Sequence, residues 1–208
     1  MATYTLKAGD TLYSLARNHG LSLDQLLTIN PGLDPNHYSV GQQIKVPGAD
    51  IGKPTHQTPA STITQSAPPP SGGSPWFEIA KREMEHGVKE IAGKVNNPRI
   101  VEYHQATSLK ASNDETPWCS AFTNWCMQQA GIKGTNNARA ASWLNWGQKL
   151  DSPREGCVVV VKTSRSHHVC FYHSDAGDRI QGLGGNQSDQ VKLSRYKKST
   201  VVAYRWPA

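Results

Sequence analysis

The stretch from Asp50 to Pro75 sets the first limit on how this chain folds. It holds Pro54, Pro59, Pro68, Pro69, Pro70 and Pro75 among many Ser and Thr, and no aromatic residue. Such a segment cannot bury enough apolar surface to offset the entropy lost on ordering. As a flexible coil it reaches roughly 25–30 Å, and its prolines stretch it further. The 208 residues are therefore expected to divide into a small module at 1–48, a Pro/Ser/Thr-rich tether at 49–75 and a larger domain at 76–208.

Charge separates the two ends. The formal net charge is +6, from 22 Lys and Arg against 16 Asp and Glu. Residues 1–48 and 49–75 are balanced, so the whole excess lies in 76–208. After Asp189 there is no acid, but there are Lys192, Arg195, Lys197, Lys198 and Arg205. A basic surface suits nucleic acid, anionic lipid or an anionic wall polymer, and a solvated basic tail is the plainer alternative. The longest aliphatic run, Val158 to Val161, is far short of the roughly 20 residues that span a bilayer. Met1 to Lys7 has no basic start followed by an apolar stretch, so a secretory signal peptide is not expected.

The cysteines are Cys119, Cys126, Cys157 and Cys170. On one helix the first two lie about 10.5 Å apart along the axis, too far to bridge. A Cys157–Cys170 bridge stays open. No CxxC pair occurs, which argues against a zinc ribbon or a redox motif.

In the first module Thr3–Lys7 alternates like a strand. A turn at Gly9-Asp10-Thr11 caps a helix from about Leu12 to Asn18, which Gly20 ends. Ser22 caps a second helix with Leu23, Leu26, Leu27 and Ile29 buried, and Asn30-Pro31-Gly32 stops it. Gln43–Val46 supplies a closing strand, giving a βααβ order. The run Tyr4 to Ala16, the block Leu26-Leu27-Thr28-Ile29-Asn30-Pro31 and the closing Gly41 to Pro47 resemble a LysM module over residues 3–47. The resemblance implies binding of N-acetylglucosamine-containing glycans, mainly peptidoglycan or chitin. It implies a groove between the loop of Gly9, Asp10, Thr11 and Leu12 and the loop after Asn30 and Pro31. Asp10, Asn30 and Pro31 also have plain roles as caps and helix stop.

In the larger domain, residues 76–92 have helical spacing, with Phe77, Ala80, Met84, Val88 and Ile91 on one face, and a loop-rich stretch follows to about 115. Thr116 then reads as an N-cap and Pro117 as a first helical residue. Trp118, Ala121, Phe122, Trp125 and Ala130 form the buried stripe and Gly131 the stop. This puts Cys119 in the first turn, where free N–H groups and the helix dipole favour a thiolate nucleophile. Cys126, two turns deeper, reads as packing. Gly156–Lys162 and His167–His173 read as strands, and alternation places His168, Cys170 and Tyr172 on one face with His167, Val169, Phe171 and His173 on the other. Periodicity does not say which histidine faces the helix. After Arg179–Leu183, Asn186 or Gln187 is placed to orient an imidazole.

The blocks Pro117-Trp118-Cys119-Ser120-Ala121-Phe122, Ser166 to Tyr172 and Leu183-Gly184-Gly185-Asn186-Gln187-Ser188 are similar to papain-like cell-wall cysteine peptidases of the NlpC and CHAP type. The closing Tyr204-Arg205-Trp206-Pro207 looks like the end of a bacterial and phage subgroup of these. The resemblance implies Cys119 as nucleophile, His168 as base and Asn186 as third member, with no metal or cofactor. His167 and Cys170 stand where that family usually has glycines, so His167 stays open as the base. The backbone N–H of Cys119 is the natural first oxyanion donor, and Asn113 or another side chain of that loop a second.

The expected fold is α+β: a small βααβ module tethered to a papain-like domain whose helical part packs on an antiparallel sheet. The expected function is cleavage of a peptidoglycan amide, either the bond between N-acetylmuramic acid and L-alanine or one within the stem peptide. With no signal peptide, delivery is expected by phage lysis, as an endolysin, or by type VI secretion, as an antibacterial effector with a cognate immunity protein. Neither nucleic acid nor membrane insertion is expected. A zinc hydrolase lacks its ligand spacing, and a lysozyme-like enzyme would have to use Glu78, Glu83, Glu85 or Glu90, clustered on one early helix. A non-catalytic wall-binding protein is the remaining alternative.

Overall fold

The computed structural model describes residues 1–7, 10, 12–21, 23–35, 38–47, 74–93 and 95–208. The expected tether lies outside the described residues except at Ser74 and Pro75, as do Gly9, Thr11 and the Ser22 cap. The chain divides into two compact units, Met1–Gly72 and Gly73–Ala208. The architecture is mixed α+β, with helices packed on a sheet in the second unit.

In the first unit β1 (Ala2–Thr5) pairs antiparallel with β2 (Gln43–Val46), and between them come α1 (Leu12–Asn18) and α2 (Leu23–Thr28). Leu6, Leu12, Leu15, Ala16, Leu23, Leu26, Ile44 and Val46 are buried together, each of the larger side chains contributing about 1.5–3 kcal/mol of burial. Gly20 has φ +70°, a conformation that costs other L-residues, and it lets Leu21 N–H close on Ala16 O at 2.8 Å to end α1.

In the second unit α3 spans Pro75–Glu85, α4 Pro98–Gln105 and α5 Cys119–Gln129. They precede β3 (Gln148–Leu150), β4 (Val158–Lys162), β5 (His167–Ala176), β6 (Arg179–Gly184), β7 (Lys192–Lys197) and β8 (Val201–Trp206). The six-stranded sheet runs β3-β8-β4-β5-β6-β7, and its pairs are antiparallel. Val158 to Val161 are buried on both faces, which is why a run without alternation is a central strand. One face of the sheet holds Cys157, Val159, Cys170, Tyr172 and Ile180. The other meets the helices through Phe171, whose ring stands edge-on to Phe77 of α3 and Phe122 of α5 with centroids 6.3 and 6.4 Å away. Cys157 and Cys170 are free thiols in their cluster, so the open question of a bridge is answered: none is formed.

Two helix expectations need correction. The helix expected over 76–92 ends at Glu85, because Gly87 turns left-handed at φ +66° and Val88 O instead accepts from Val191 N–H at 2.8 Å. The stretch expected as loop contains α4. Asn97 caps it by accepting from Arg99 N–H at 2.8 Å, with Pro98 at its start.

A buried ionic cluster ties the three helices. Glu83 of α3 accepts from Arg99 Nε at 2.8 Å and Nη2 at 2.7 Å, and also from the Tyr103 hydroxyl. Arg99 lies 4.4 Å over the Trp125 ring of α5 and bonds Glu102 at 3.0 Å. Burial alone would push the Glu83 carboxyl up, but the Arg99 guanidinium and the hydrogen bonds hold it at about 2. The same helix end is fixed from outside by Asp114, which accepts from Ile91 N–H and Asn97 N–H at 3.0 and 2.8 Å.

Candidate active site

Helix α5 begins at Cys119 itself, with Trp118 in the capping position. Thr116 does not cap it. Its N–H and hydroxyl both donate to Asn113 Oδ1, at 2.9 and 2.8 Å, closing a turn ahead of the helix. Trp118 sets the start because its indole is fully buried against Tyr103 and Phe122 and donates to Glu90 Oε1 at 2.7 Å. Cys119 to Met127 are all buried. The polar ones are satisfied: Ser120 donates to Asn137 O at 2.6 Å and accepts from Trp143 Nε1 at 2.9 Å, and Thr123 donates to Cys119 O at 2.9 Å.

Cys119 keeps 9% of its surface exposed. Its thiol lies against the backbone N–H of Val169, the residue after His168 on β5. Burial raises the thiol above its ordinary range, and the N–H groups of Val169, Ser120 and Cys119 itself pull it partly back. The N–H groups at the helix start therefore act on the thiol as the sequence suggests, while desolvation is the larger effect and acts the other way. Burial, and after it the nearby Cys119, likewise raise Cys170, which shares the His168 face of the strand.

His168 Nε2 lies 3.1 Å from Gln187 Oε1, and its ring stacks on Tyr196 with centroids 5.4 Å apart. Gln187 is itself pinned. Its Nε2 donates to Gly182 O at 3.1 Å and to Lys192 O, and its Oε1 also accepts from the Tyr196 hydroxyl at 2.6 Å. With Oε1 facing the ring, a neutral imidazole must carry its proton on Nε2, leaving Nδ1 as a free base. Burial lowers the His168 pKa and the Gln187 bond raises it again in part. Among the described residues the hydrogen-bond partner of this ring is Gln187, and not Asn186. Asn186 is half-buried at φ +55° in the turn after β6, whereas Gln187 beside it is buried. His167 pairs across to Lys162 and shares the face of Val169 and Phe171. Sequence reasoning missed Tyr196, although its alternation along β7 was available as a signal, and Glu90, whose role as a partner of Trp118 has no local signature.

In the first unit Asp10 Oδ2 accepts from Tyr4 OH at 2.9 Å and Lys7 N–H at 2.8 Å. Asn30 works as a clip: its amide donates to Leu26 O and Lys45 O, both at 2.8 Å, and accepts from Lys45 N–H at 2.6 Å. Asn30 and Pro31 line an open groove of about 430 Å³ with Gly32, Leu33, Thr3 and Gln42 to Lys45. Leu12, expected at the groove, is a core residue with 2% exposure, since its side chain completes the α1 stripe. Among the described residues no three His, Cys, Asp or Glu side chains are grouped to hold a metal ion, and no helix is long and apolar enough to cross a membrane.

Comparison with known proteins places these features. Residues 4–47 match the LysM domain. The chain is 33% identical to the uncharacterized lipoprotein YgeR of Escherichia coli K12 over 99% of this chain and 80% of that protein. It belongs to the family of YgeR. It is also 33% identical to outer membrane antigenic lipoprotein B of Histophilus somni, over 92% of this chain and 61% of the relative. The N-acetylmuramoyl-L-alanine amidase XlyB of Bacillus subtilis 168 is a more distant match, 28% identical over 52% of this chain and 39% of the enzyme. The relatives overturn the expectation about export. Two relatives matched along nearly the whole chain, YgeR and the Histophilus somni protein, are lipoproteins. Delivery without a signal peptide, by type VI secretion or phage lysis, is therefore withdrawn.

Proposed function

We propose that the protein binds peptidoglycan through its LysM domain and hydrolyses an amide bond of the same polymer through Cys119. One observation carries the reading: a thiol at the first residue of α5 lies against the strand residue next to a histidine whose ring is held and oriented by Gln187. The amidase relative supports the substrate class. In this reading the second unit is a papain-like domain of the NlpC and CHAP type, with Gln187 taking the orienting role first given to Asn186. Residues 49–75 serve as the tether, which raises the effective concentration of the hydrolase on its substrate.

Burial raises the Cys119 thiol and lowers the His168 imidazole, which favours a start by general-base attack. His168 Nδ1 takes the Cys119 proton as the sulfur bonds to the amide carbonyl carbon. The oxyanion forms beside the Cys119 N–H. The imidazolium then gives its proton to the leaving amine as the C–N bond breaks. Water, deprotonated by the same imidazole, releases the acyl group and restores the thiol.

Mass spectrometry of muropeptides after digestion tests the reading and identifies the bond, either the lactyl amide or one within the stem. Cys119→Ala and His168→Ala are expected to release no fragments while still sedimenting with insoluble peptidoglycan, and His167→Ala to remain active. Digestion by Cys119→Ala would refute the mechanism. Fragments ending in cleaved sugars would refute the bond class. Loss of sedimentation on deleting residues 1–48 is expected from the anchoring role.

A further inference from the structure

The β6–β7 hairpin carries charges that work against its own stability. Arg179 stands directly opposite Lys197, and Gln181 opposite Arg195. Opposed residues share a face with side chains about 5 Å apart, and the next residue on that face is about 7 Å along the strand. Three cations thus crowd one end of the hairpin, and like charges placed this way repel. The face is the one on which Leu183, opposite Phe171, is buried beneath the helices. Toward the Asp178 end that cover stops: Arg195 and Lys197 are exposed, and Arg179 is 41% exposed.

Nearby acids do not neutralise the cluster. Asp175 pairs with Lys198 at 3.0 Å, and Asp178 reaches Arg179 Nε only at 3.9 Å while 80% exposed. Among the described residues no ion pair engages Arg195 or Lys197. Strand β7 is also an edge of the sheet. Charge on an edge discourages strand pairing, but that needs no concentration of one sign at one spot.

We propose that this end of the hairpin is a docking track for a linear phosphodiester polymer of the poly(glycerol phosphate) kind. Cations spaced along and across an edge strand match phosphates repeated along an extended chain. A bilayer fits less well, because among the described residues none of the large exposed apolar side chains (Met1, Val40, Val95, Leu109, Val202) lies on the hairpin to insert. A single-stranded nucleic acid fits less well, because the hairpin's aromatic side chain, Tyr196, faces the other way onto His168 and offers no stacking surface. This site is independent of the hydrolase reading, since none of the three cations belongs to the Cys119 centre.

The test measures binding of fluorescent poly(glycerol phosphate) to the full chain across a salt series. The variant Arg179→Gln/Arg195→Gln/Lys197→Gln is expected to bind at least tenfold more weakly, with the slope of log K against log salt reduced by about 2, roughly 0.7 per lost phosphate contact. It should melt no lower than the parent, because a repulsion has been removed. The control Lys149→Gln/Lys162→Gln/Arg165→Gln loses the same charge elsewhere and is expected to weaken binding less than threefold. Equal losses in both variants, or none in the first, would overturn the proposal. So would tighter binding to phosphatidylglycerol vesicles or to an oligonucleotide of matched charge than to the polymer.

Discussion

Replacing Glu83 by Gln keeps the shape of the buried cluster and removes its charge. Arg99, 5% exposed, would then sit in the core without its principal counterion. Two estimates of the cost agree. Holding the carboxyl at about 2 against an ordinary 4.5 corresponds to about 3 kcal/mol of stability at neutral pH. Removing one partner of a buried ion pair in general costs about 3–5 kcal/mol. For a domain whose total stability is about 5–15 kcal/mol, the variant should be visibly compromised. The assay is direct, because all six tryptophans lie between Trp76 and Trp206 and indole fluorescence in urea therefore reports the second unit alone. The pH dependence fixes the cause. A carboxyl lowered on folding stabilises fully above its unfolded value and loses that contribution as pH falls toward its folded one. The gap between parent and Glu83→Gln should therefore be full at pH 7 and shrink from about pH 5 to pH 2. Coincident urea midpoints at pH 7, or a gap that widens in acid, would refute the reasoning.

Gln187→Met keeps the volume but loses the acceptor, and kcat on a peptidoglycan substrate should fall roughly ten- to hundredfold. Because the Gln187 bond raises the His168 pKa, the acid limb of the rate profile should also move to lower pH, a shift that simple unfolding would not produce. In the parent, burial lowers the His168 pKa below its usual 6.5 and raises the Cys119 thiol. Hydrolysis should hold its rate below pH 6.5 before falling, and an acid limb centred above 6.5 would contradict a buried neutral base. Gly185→Ala would bring a methyl within 2.4 Å of the Trp118 ring and 2.7 Å of Phe122 Cβ. We expect a loss of about 1–3 kcal/mol in urea midpoint together with reduced activity, since the displaced ring sets the start of α5.

Much of this arrangement was legible in the sequence because its signals are local. Leu12, Leu15 and Ala16 between a turn and Gly20 specify α1, and the aromatic spacing from Trp118 to Trp125 specifies α5. What was not legible depends on distant partners. Helix α4 was missed although Asn97-Pro98 is a good start, because two of its inward-facing residues, Arg99 and His104, are polar and give no apolar stripe. Both are buried, Arg99 by Glu83 from another helix. Helix α3 was extended too far because Val88 continues its spacing, yet Val88 is buried through a backbone bond to Val191. The thiol illustrates the same limit: a helix start can be read from Cys119 and its neighbours, but the burial that outweighs it comes from the sheet. Alternation also cannot resolve Asn186 from Gln187 where positive φ angles at Asn186, Ser188 and Asp189 break the strand period.

The clasp between the first helix and the last strand of the second unit has an engineering consequence. Trp76 donates to Gly156 O at 2.7 Å and meets Trp206 edge-on at 5.0 Å, while Arg154 covers Trp206 from 3.3 Å. Chain arriving at Ser74 and chain leaving past Pro207 thus share one corner. Joining those ends with a short linker and reopening the ring at Gly177, between β5 and β6, should give a circular permutant that keeps the packing of α5 on β5, and the unit should equally tolerate being grafted as a whole into a surface loop of a host protein.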